Sequence, residues 1–410
     1  MRVWIVNPFD NLPLEGFRPQ RYWLMAEAFV EAGHHVVYWT SDFSHASKKP
    51  RVIDDPKKWP DGYPPVSNGT LTVNTVLTPP YSRNVSLARV ISHRRLARNW
   101  LDCASKEEKK PDVVIASLPP IRLPLFAKAY ADSVGAKFVV DIMDDWPGTF
   151  YRLLPRRLRW LGPLLFSGSR RHARYLYANA DLVTGVADRY AELALSAGAK
   201  RYRRFYHGIE NSSTVPPPLS TAAESLLYLG NLGRTYDLRT AIEAVALDPQ
   251  LTLDIAGKGE QEDSLRAFAT EKGVADRVRF HGYLAEDGLA ALAAKCAFGL
   301  IPMSDESCVG VPYKLADYAR YGLFMLSSLR GESAALLERH RCGVLYDFGD
   351  PRSLIGKLKR EVEERSKPTV EVGQRNLNAS GHLPPDFNSL LSELDASRIY
   401  RSYVAEVQKL

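Results

Sequence analysis

Cysteine is scarce in this 410-residue chain. The four present (103, 296, 308 and 342) are scattered, with none of the spacings that bind zinc or build a disulfide framework. That excludes a small disulfide-stapled fold and agrees with a reducing compartment. Long apolar runs are also missing: none approaches the roughly 18–20 residues that span a bilayer. The opening MRVWIVNPFD reads as a strand and a turn, not as a signal peptide. The expected location is therefore cytoplasmic. No GxGxxG fingerprint follows a candidate strand, which disfavours a nicotinamide dehydrogenase. No Asp-x-Asp pair or other metal motif stands in a plausible place, so the expectation is no metal and no cofactor.

One absence is local. Between Asp145 and Asp181 there is no acidic residue, while Arg152, Arg156, Arg157, Arg159, Arg170, Arg171 and Arg174 fall in that stretch. Leu, Trp and Phe are interleaved with them (YRLLPRRLRWLGPLLFSGSRR). A basic, apolar segment of this kind suits an anionic membrane surface. The alternative is a solvated helix face over a buried seam. Nucleic acid is not an expected partner, because no recognised module is present.

What is there is a long globular chain, 45% hydrophobic and 25% charged, which implies two or three domains. Strands and helices alternate twice over. In the first half the strand-like runs are 3–7, 35–40, 70–77, 112–118, 137–143, 181–186 and 204–207, with helical patterns such as 21–33 and 121–135 between them. Residues 41–69 read as a long loop. ENSSTVPPPLSTAAES (210–225) reads as a linker. Alternation then restarts at LLYLG (226–230) and runs through helices at 236–247, 261–272, 287–295 and 351–366 to a final one near 387–409. The reading is an α/β protein with two doubly wound, Rossmann-like domains facing a central cleft. The domains are 1–209 and 226–385, joined by the linker. The last helix (386–410) is a candidate to cross back to the first. All seven Trp lie in the first 160 residues. Core packing explains most of them, and Trp146 and Trp160 are candidates for an acceptor surface.

The stretch GVPYKLADYARYG (310–322) is the most informative. Pro312 favours a helix start and Gly322 a helix end. Lys314 and Asp317 then share a face near the helix N-terminus, which attracts anions. That suits a ligand with both phosphate and hydroxyl groups. GNLGRT supplies Gly230, Asn231, Gly233 and Arg234 after one strand, and AGKGEQE supplies Gly257, Lys258 and Gly259 after the next. Glycine lets backbone approach an anion, and arginine offers it a fork. Each βα turn is also explained by turn geometry alone.

In order and spacing these motifs resemble the carboxyl-terminal domain of family 4 glycosyltransferases, which have the GT-B fold. They are most similar to bacterial surface-polysaccharide members with a G-V-P-x-K-L-x-E-Y donor helix, matched here by Gly310, Val311, Pro312, Lys314, Leu315 and Tyr318. The resemblance covers 225–365 well. In the first half it rests on 21–36, DIMDDWP (141–147) and FYHGIE (205–210). It implies a nucleotide-sugar donor, with its diphosphate against Gly310–Lys314 and its ribose on Asp317. Arg234 and Lys314 would neutralise the leaving group, so no metal would be needed. Two departures stand out. Val309 occupies the place of the first of two carboxylates eight positions apart, leaving Asp305 or Glu306 as substitutes. The glycine pair after the first strand is replaced by a single Gly16, with Arg18 and Arg21 nearby.

On the acceptor side Asp144 is the expected catalytic carboxylate, with Asp145 adjacent and a turn or helix-cap role as the alternative. His45 and Trp146 are candidates beside it, while His207 and His281 read as structural. The implied function is a retaining, metal-independent transfer from a nucleotide sugar to a glycan or lipid-linked glycan, peripheral to a membrane through 151–174. The rivals are a nucleotide-sugar epimerase on the same fold and a non-catalytic scaffold subunit.

Overall fold

The computed structural model describes residues 1–15, 17–51, 71–152, 154–210, 224–303, 307, 309–367, 369–372, 375–378 and 384–410. Gly16, Asp305 and Glu306 lie outside the described residues, as do most of the linker at 210–225 and of the loop at 41–69. The chain divides into two compact units, Met1–Glu210 with Asp395–Leu410, and Asn211–Leu394.

The first unit is built on seven parallel strands: β1 (Arg2–Val6), β2 (His35–Ser41), β3 (Leu71–Val76), β4 (Val113–Leu118), β5 (Lys137–Ile142), β6 (Leu182–Gly185) and β7 (Tyr202–Arg204). Their spatial order is β3-β2-β1-β4-β5-β6-β7, so the winding reverses between β1 and β4. Every position of β4 is buried, as in a strand covered on both faces. Trp4 of β1 lies 5.2 Å from Trp39, 6.5 Å from Trp100 and 5.3 Å from Tyr130, ring centre to ring centre. Those tryptophans are core. Trp160, by contrast, is 74% exposed.

Helix α1 (Arg21–Glu31) and helix α2 (Leu87–Lys106) cover this sheet. α2 was not among the helical patterns recognised in the sequence. Arg21 corrects the sequence reading. It is fully buried, and its Nε and Nη2 each donate to Asp141 at 2.8 Å. Nη1 donates to the carbonyls of Phe205 and Tyr206 at 2.8 and 2.9 Å. Arg21 therefore has no donor surface for an acceptor: it is a buried strut. Asp141 also accepts from Tyr22 and Thr184, at 2.7 and 2.6 Å. Burial works against its ionisation, but Arg21 and these donors outweigh it and hold its pKa below the usual value. The same carbonyl contacts explain why the strand expected at 204–207 forms at Tyr202–Arg204 instead.

The final helix expected near 387–409 is two helices. Phe387–Glu393 lies in the second unit and Ala396–Val407 in the first. Asp395 starts the latter by accepting the Arg398 amide at 2.9 Å. Tyr400 Oη accepts the Gly208 amide at 3.2 Å, and Tyr403 reaches Thr184 at 3.3 Å. The last helix thus closes over the Arg21–Asp141 pair.

The second unit is a six-stranded parallel sheet: β8 (Ser225–Leu229), β9 (Thr252–Ala256), β10 (Val278–Gly282), β11 (Phe298–Ile301), β12 (Phe324–Ser327) and β13 (Gly343–Leu345). Its order is β10-β9-β8-β11-β12-β13. The winding reverses between β8 and β11. In open α/β sheets such a switch point, at the carboxyl ends of the strands, is where ligands bind.

Candidate active site

The second unit's switch point is occupied by helix α3 (Lys314–Arg320), two residues later than Pro312 suggests. Residues 311–313 form a turn first, with the Leu315 amide on the Pro312 carbonyl at 3.2 Å. At the other end Gly322 adopts φ +64°, and the amides of Gly322 and Leu323 bond back to Ala319 and Tyr318. Glycine ends the helix there because the left-handed backbone costs it nothing. Tyr318 fixes the helix in place. Its hydroxyl accepts the Leu229 amide at 3.0 Å and donates to the Leu300 carbonyl at 2.9 Å, spanning β8 and β11. Gly299 exists to admit that ring: a Cβ there would lie 2.4 Å from it.

This packing delivers Lys314 to the switch point. Its Nζ sits 2.7 Å from where a Gly230 Cβ would be, and 5.0 and 4.3 Å from the ring centres of Tyr228 and Tyr236. Lys314 is 8% exposed. Among the described residues no carboxylate lies within ion-pairing distance of it. Burial pushes its pKa down to about 8, against the pull of Asp317 one turn on. Two aromatic faces partly replace water around the ammonium.

The glycine turns meet as backbone against backbone. Gly257, at φ +154°, approaches Gly230 so closely that a Cβ would lie 1.8 Å from its carbonyl oxygen; a Cβ on Gly259 would lie 2.5 Å from that of Leu232. The Gly230 amide bonds to Ala256, and the Leu232 amide to Lys258, at 2.9 and 3.0 Å. Asn231, Gly233 and Arg234 lie on this turn. Arg234 is exposed and pairs with Glu260 at 3.3 Å. Lys258 is exposed and its Cε lies toward Gly282, not toward Lys314. Gly310 and Val311 are buried ahead of α3, Pro312 is half-buried, and the Gly310 carbonyl accepts Ser333 Oγ at 2.5 Å. Asp317 is half-buried on α3. Val309 is half-buried, its amide on Ser307 Oγ at 3.2 Å. His281 is held by Asp254 at 2.6 Å, a structural role as read from the sequence.

In the first unit, Asn7 and Arg51 brace the loop after β1. Asn7 Oδ1 accepts the amides of Phe9 and Asp10 at 3.0 and 2.8 Å. Arg51 pairs with Glu15 and donates to the carbonyls of Ser41 and Asp10 at 2.8 and 2.7 Å. Arg18 is exposed beyond this loop. The braced loop presents Phe9 to His45, Arg89 and His93, which in turn meet Tyr81 and Trp146, beyond the carboxyl ends of β2, β3 and β5 and on the first turns of α2. His45 Nδ1 meets Tyr81 Oη at 2.5 Å. His93 lies 6.1 Å from Trp146 and 5.5 Å from Phe9, ring to ring. Burial and the nearby cations push both histidines down to about 3, so they are neutral at physiological pH. Asp144 lies two residues past β5, accepts the Asp145 amide at 2.9 Å, and has its pKa raised, chiefly by burial. Sequence reading had found His45, Trp146 and Asp144 but not Phe9, Tyr81, Arg89 or His93. The visible signal was Arg89 and His93 four apart in SLARVISHRR, one face of a helix.

Comparison with known proteins agrees with this geometry. The family model described as "Glycosyl transferases group 1" matches residues 223–364, and "Glycosyl transferase 4-like domain" matches 20–207. The chain is 32% identical, over 275 residues, to the lipopolysaccharide core biosynthesis glycosyltransferase LpsE of Rhizobium meliloti (strain 1021), covering 64% of this chain and 76% of that one. Among solved structures, sucrose-phosphate synthase from Thermosynechococcus elongatus superposes with TM-score 0.72 at 13% identity, over 100% of this chain and 98% of that one. Anabaena Alr3699/HepE, solved with UDP and glucose, superposes with TM-score 0.65 at 14% identity over the whole of both chains. With two switch-point sheets of the GT-B kind and both halves matched, this chain belongs to the family 4 glycosyltransferases.

Proposed function

We propose that this glycosyltransferase moves a sugar from a nucleoside-diphosphate donor to a hydroxyl of a glycan or lipid-linked glycan, in surface-polysaccharide assembly, with retention of configuration and without a metal. The observation that carries the proposal is Lys314: a buried ammonium with no ion-pair partner among the described residues, beside the Gly230 turn at a switch point. A diphosphate is the partner that such a group lacks. Asp317 on the same helix would accept the ribose hydroxyls. Arg234 would exchange its surface pairing with Glu260 for the phosphates. As the C1–O bond breaks, its electrons pass to the diphosphate, and Lys314 and Arg234 neutralise the developing charge. Asp144 in the first unit would orient the attacking hydroxyl. Similarity to a lipopolysaccharide core enzyme and to a protein solved with UDP and glucose supports this reading.

The test is release of UDP or GDP from a panel of nucleotide sugars, with and without lipid-extracted acceptors. The expected result is acceptor-dependent release from one donor, insensitive to EDTA and lost in Asp317→Ala. Conversion of a donor without release would indicate the epimerase. Nucleotide binding without turnover would indicate a scaffold.

We further propose a peripheral membrane contact through 151–174. Among the described residues of that stretch, Leu158, Trp160, Leu164 and Leu165 are exposed, at 39%, 74%, 70% and 60%. Arg157, Arg170 and Arg171 are exposed among them. These four apolar side chains face water rather than a buried seam.

A further inference from the structure

The cluster in the first unit holds two cations and no paired anion. The Arg89 guanidinium carbon lies 5.1 Å from the Trp146 ring centre, 5.7 Å from Phe9 and 5.8 Å from Tyr81. Lys48 Nζ lies 5.1 Å from the same Tyr81 ring. Their hydrogen bonds go to neutral groups. Arg89 Nη1 donates to the Asn84 carbonyl at 2.8 Å, and Nε to His93 at 3.4 Å. Lys48 donates to the His45 carbonyl at 2.5 Å and to Asn84 Oδ1 at 2.7 Å. Among the described residues neither cation makes an ion pair. Asp144 is the carboxylate whose field reaches Arg89, from beyond ion-pairing distance.

Such an arrangement carries an electrostatic cost. Each cation is partly desolvated and each repels the other. Burial and Arg89 together bring Lys48 down to about 8, and burial lowers Arg89 as well. The two imidazoles between them are neutral and supply no compensating charge. Aromatic faces attract a cation without neutralising it: the three Lys48 N–H groups are taken up by His45 and Asn84, so Lys48 contributes its charge, while Arg89 has N–H groups beyond the two bonds just given. What completes the site is an anion, held by the guanidinium within the field of the ammonium, beside the half-buried Trp146 ring on which a sugar can stack.

We propose that this cluster is an acceptor subsite for an acidic group, a carboxylate or phosphate borne by the acceptor, seated between Arg89 and Lys48 with the adjoining sugar against Trp146. The proposal rests on the glycosyltransferase reading for the word acceptor, but not for the anion site itself.

The test is calorimetric titration with methyl glucoside, methyl glucuronide and glucose 1-phosphate, with UDP and GDP present to fill the nucleotide site. The wild type is expected to bind at least one anionic sugar about tenfold more tightly than the neutral one. That preference should disappear in Arg89→Met and Lys48→Met and return in part in Arg89→Lys, each variant keeping the wild-type melting temperature. Preference for the glucuronide would indicate an acidic sugar, and for the phosphate a phosphorylated glycan or carrier. Equal affinity for all three sugars, or an anion preference that survives Arg89→Met, overturns the proposal. Failure of UDP and GDP to bind at all would sink the nucleotide-sugar reading while leaving the anion site standing.

Discussion

Lys314 shows how one residue's chemistry follows from its surroundings. A lysine this deeply buried gives up hydration, and its pKa falls to about 8. It still carries its charge at neutral pH, and loses it as pH rises through that value. The kcat/KM for donor, which reports the free enzyme, should therefore fall about tenfold per pH unit above pH 8. Lys314→Arg, charged throughout, should lack that alkaline limb; a limb that persists unchanged in it would remove Lys314 from the donor site. The place of this residue in a short helix was legible, because Pro312 and Gly322 mark where that helix starts and ends. The role of Arg21 was not. Its sequence neighbours give no sign of Asp141, 120 positions away, which takes up two of its nitrogens. A basic residue after the first strand reads as a ligand contact until the fold supplies a buried partner.

At the scale of elements, that pair joins α1 to β5, and through Thr184 and Tyr403 to the final helix. A buried ion pair adds little over an apolar replacement of both partners, but removing one partner strands the other charge, at about 3–5 kcal/mol. Arg21→Leu should cost that much in chemical denaturation. The Asp141 pKa is depressed in the folded state, so its contribution is fully present above the ordinary value of 3.8 and is lost as pH falls through the lower folded value. The variant's stability should lack that acid-side loss; a change under about 1 kcal/mol would contradict the stranded-charge account. Elements were legible where strands are continuous apolar runs, as in Val113–Leu118. They were misread where one side chain redirects the backbone: Arg21 draws off the 205–206 carbonyls, and Asp395 restarts a helix. The α2 helix was missed because only Ser92, His93, Leu96, Ala97, Trp100 and Ala104 of its twenty residues are buried, and its arginines mask the stripe.

For the whole molecule, the duplicated α/β architecture was plain from the alternation and from the polar, proline-rich 210–225. What alternation cannot give is which surface side chains stay out of a core. The basic stretch could have buried its leucines, yet Trp160 and Leu164 are largely exposed. On that basis the wild type should cosediment with vesicles containing phosphatidylglycerol, and Trp160→Glu with Leu164→Glu should weaken this by about tenfold or more. Equal sedimentation of the two would rule this surface out as the contact. The cluster around Phe9 illustrates the same limit. Phe9, His45, Tyr81, Arg89 and Trp146 come from separate segments, and only the sheet brings them to one edge.

The central claim is that the Gly230 turn and Lys314 form a diphosphate site. It is tested most directly by titrating UDP, GDP and the matching nucleosides into the wild type and Lys314→Met, with the melting temperature as a check on folding. One nucleoside diphosphate should bind the wild type and bind Lys314→Met about tenfold or more weakly, while its nucleoside binds both alike. Undiminished diphosphate affinity in a folded Lys314→Met, or no binding of either diphosphate to the wild type, would contradict it.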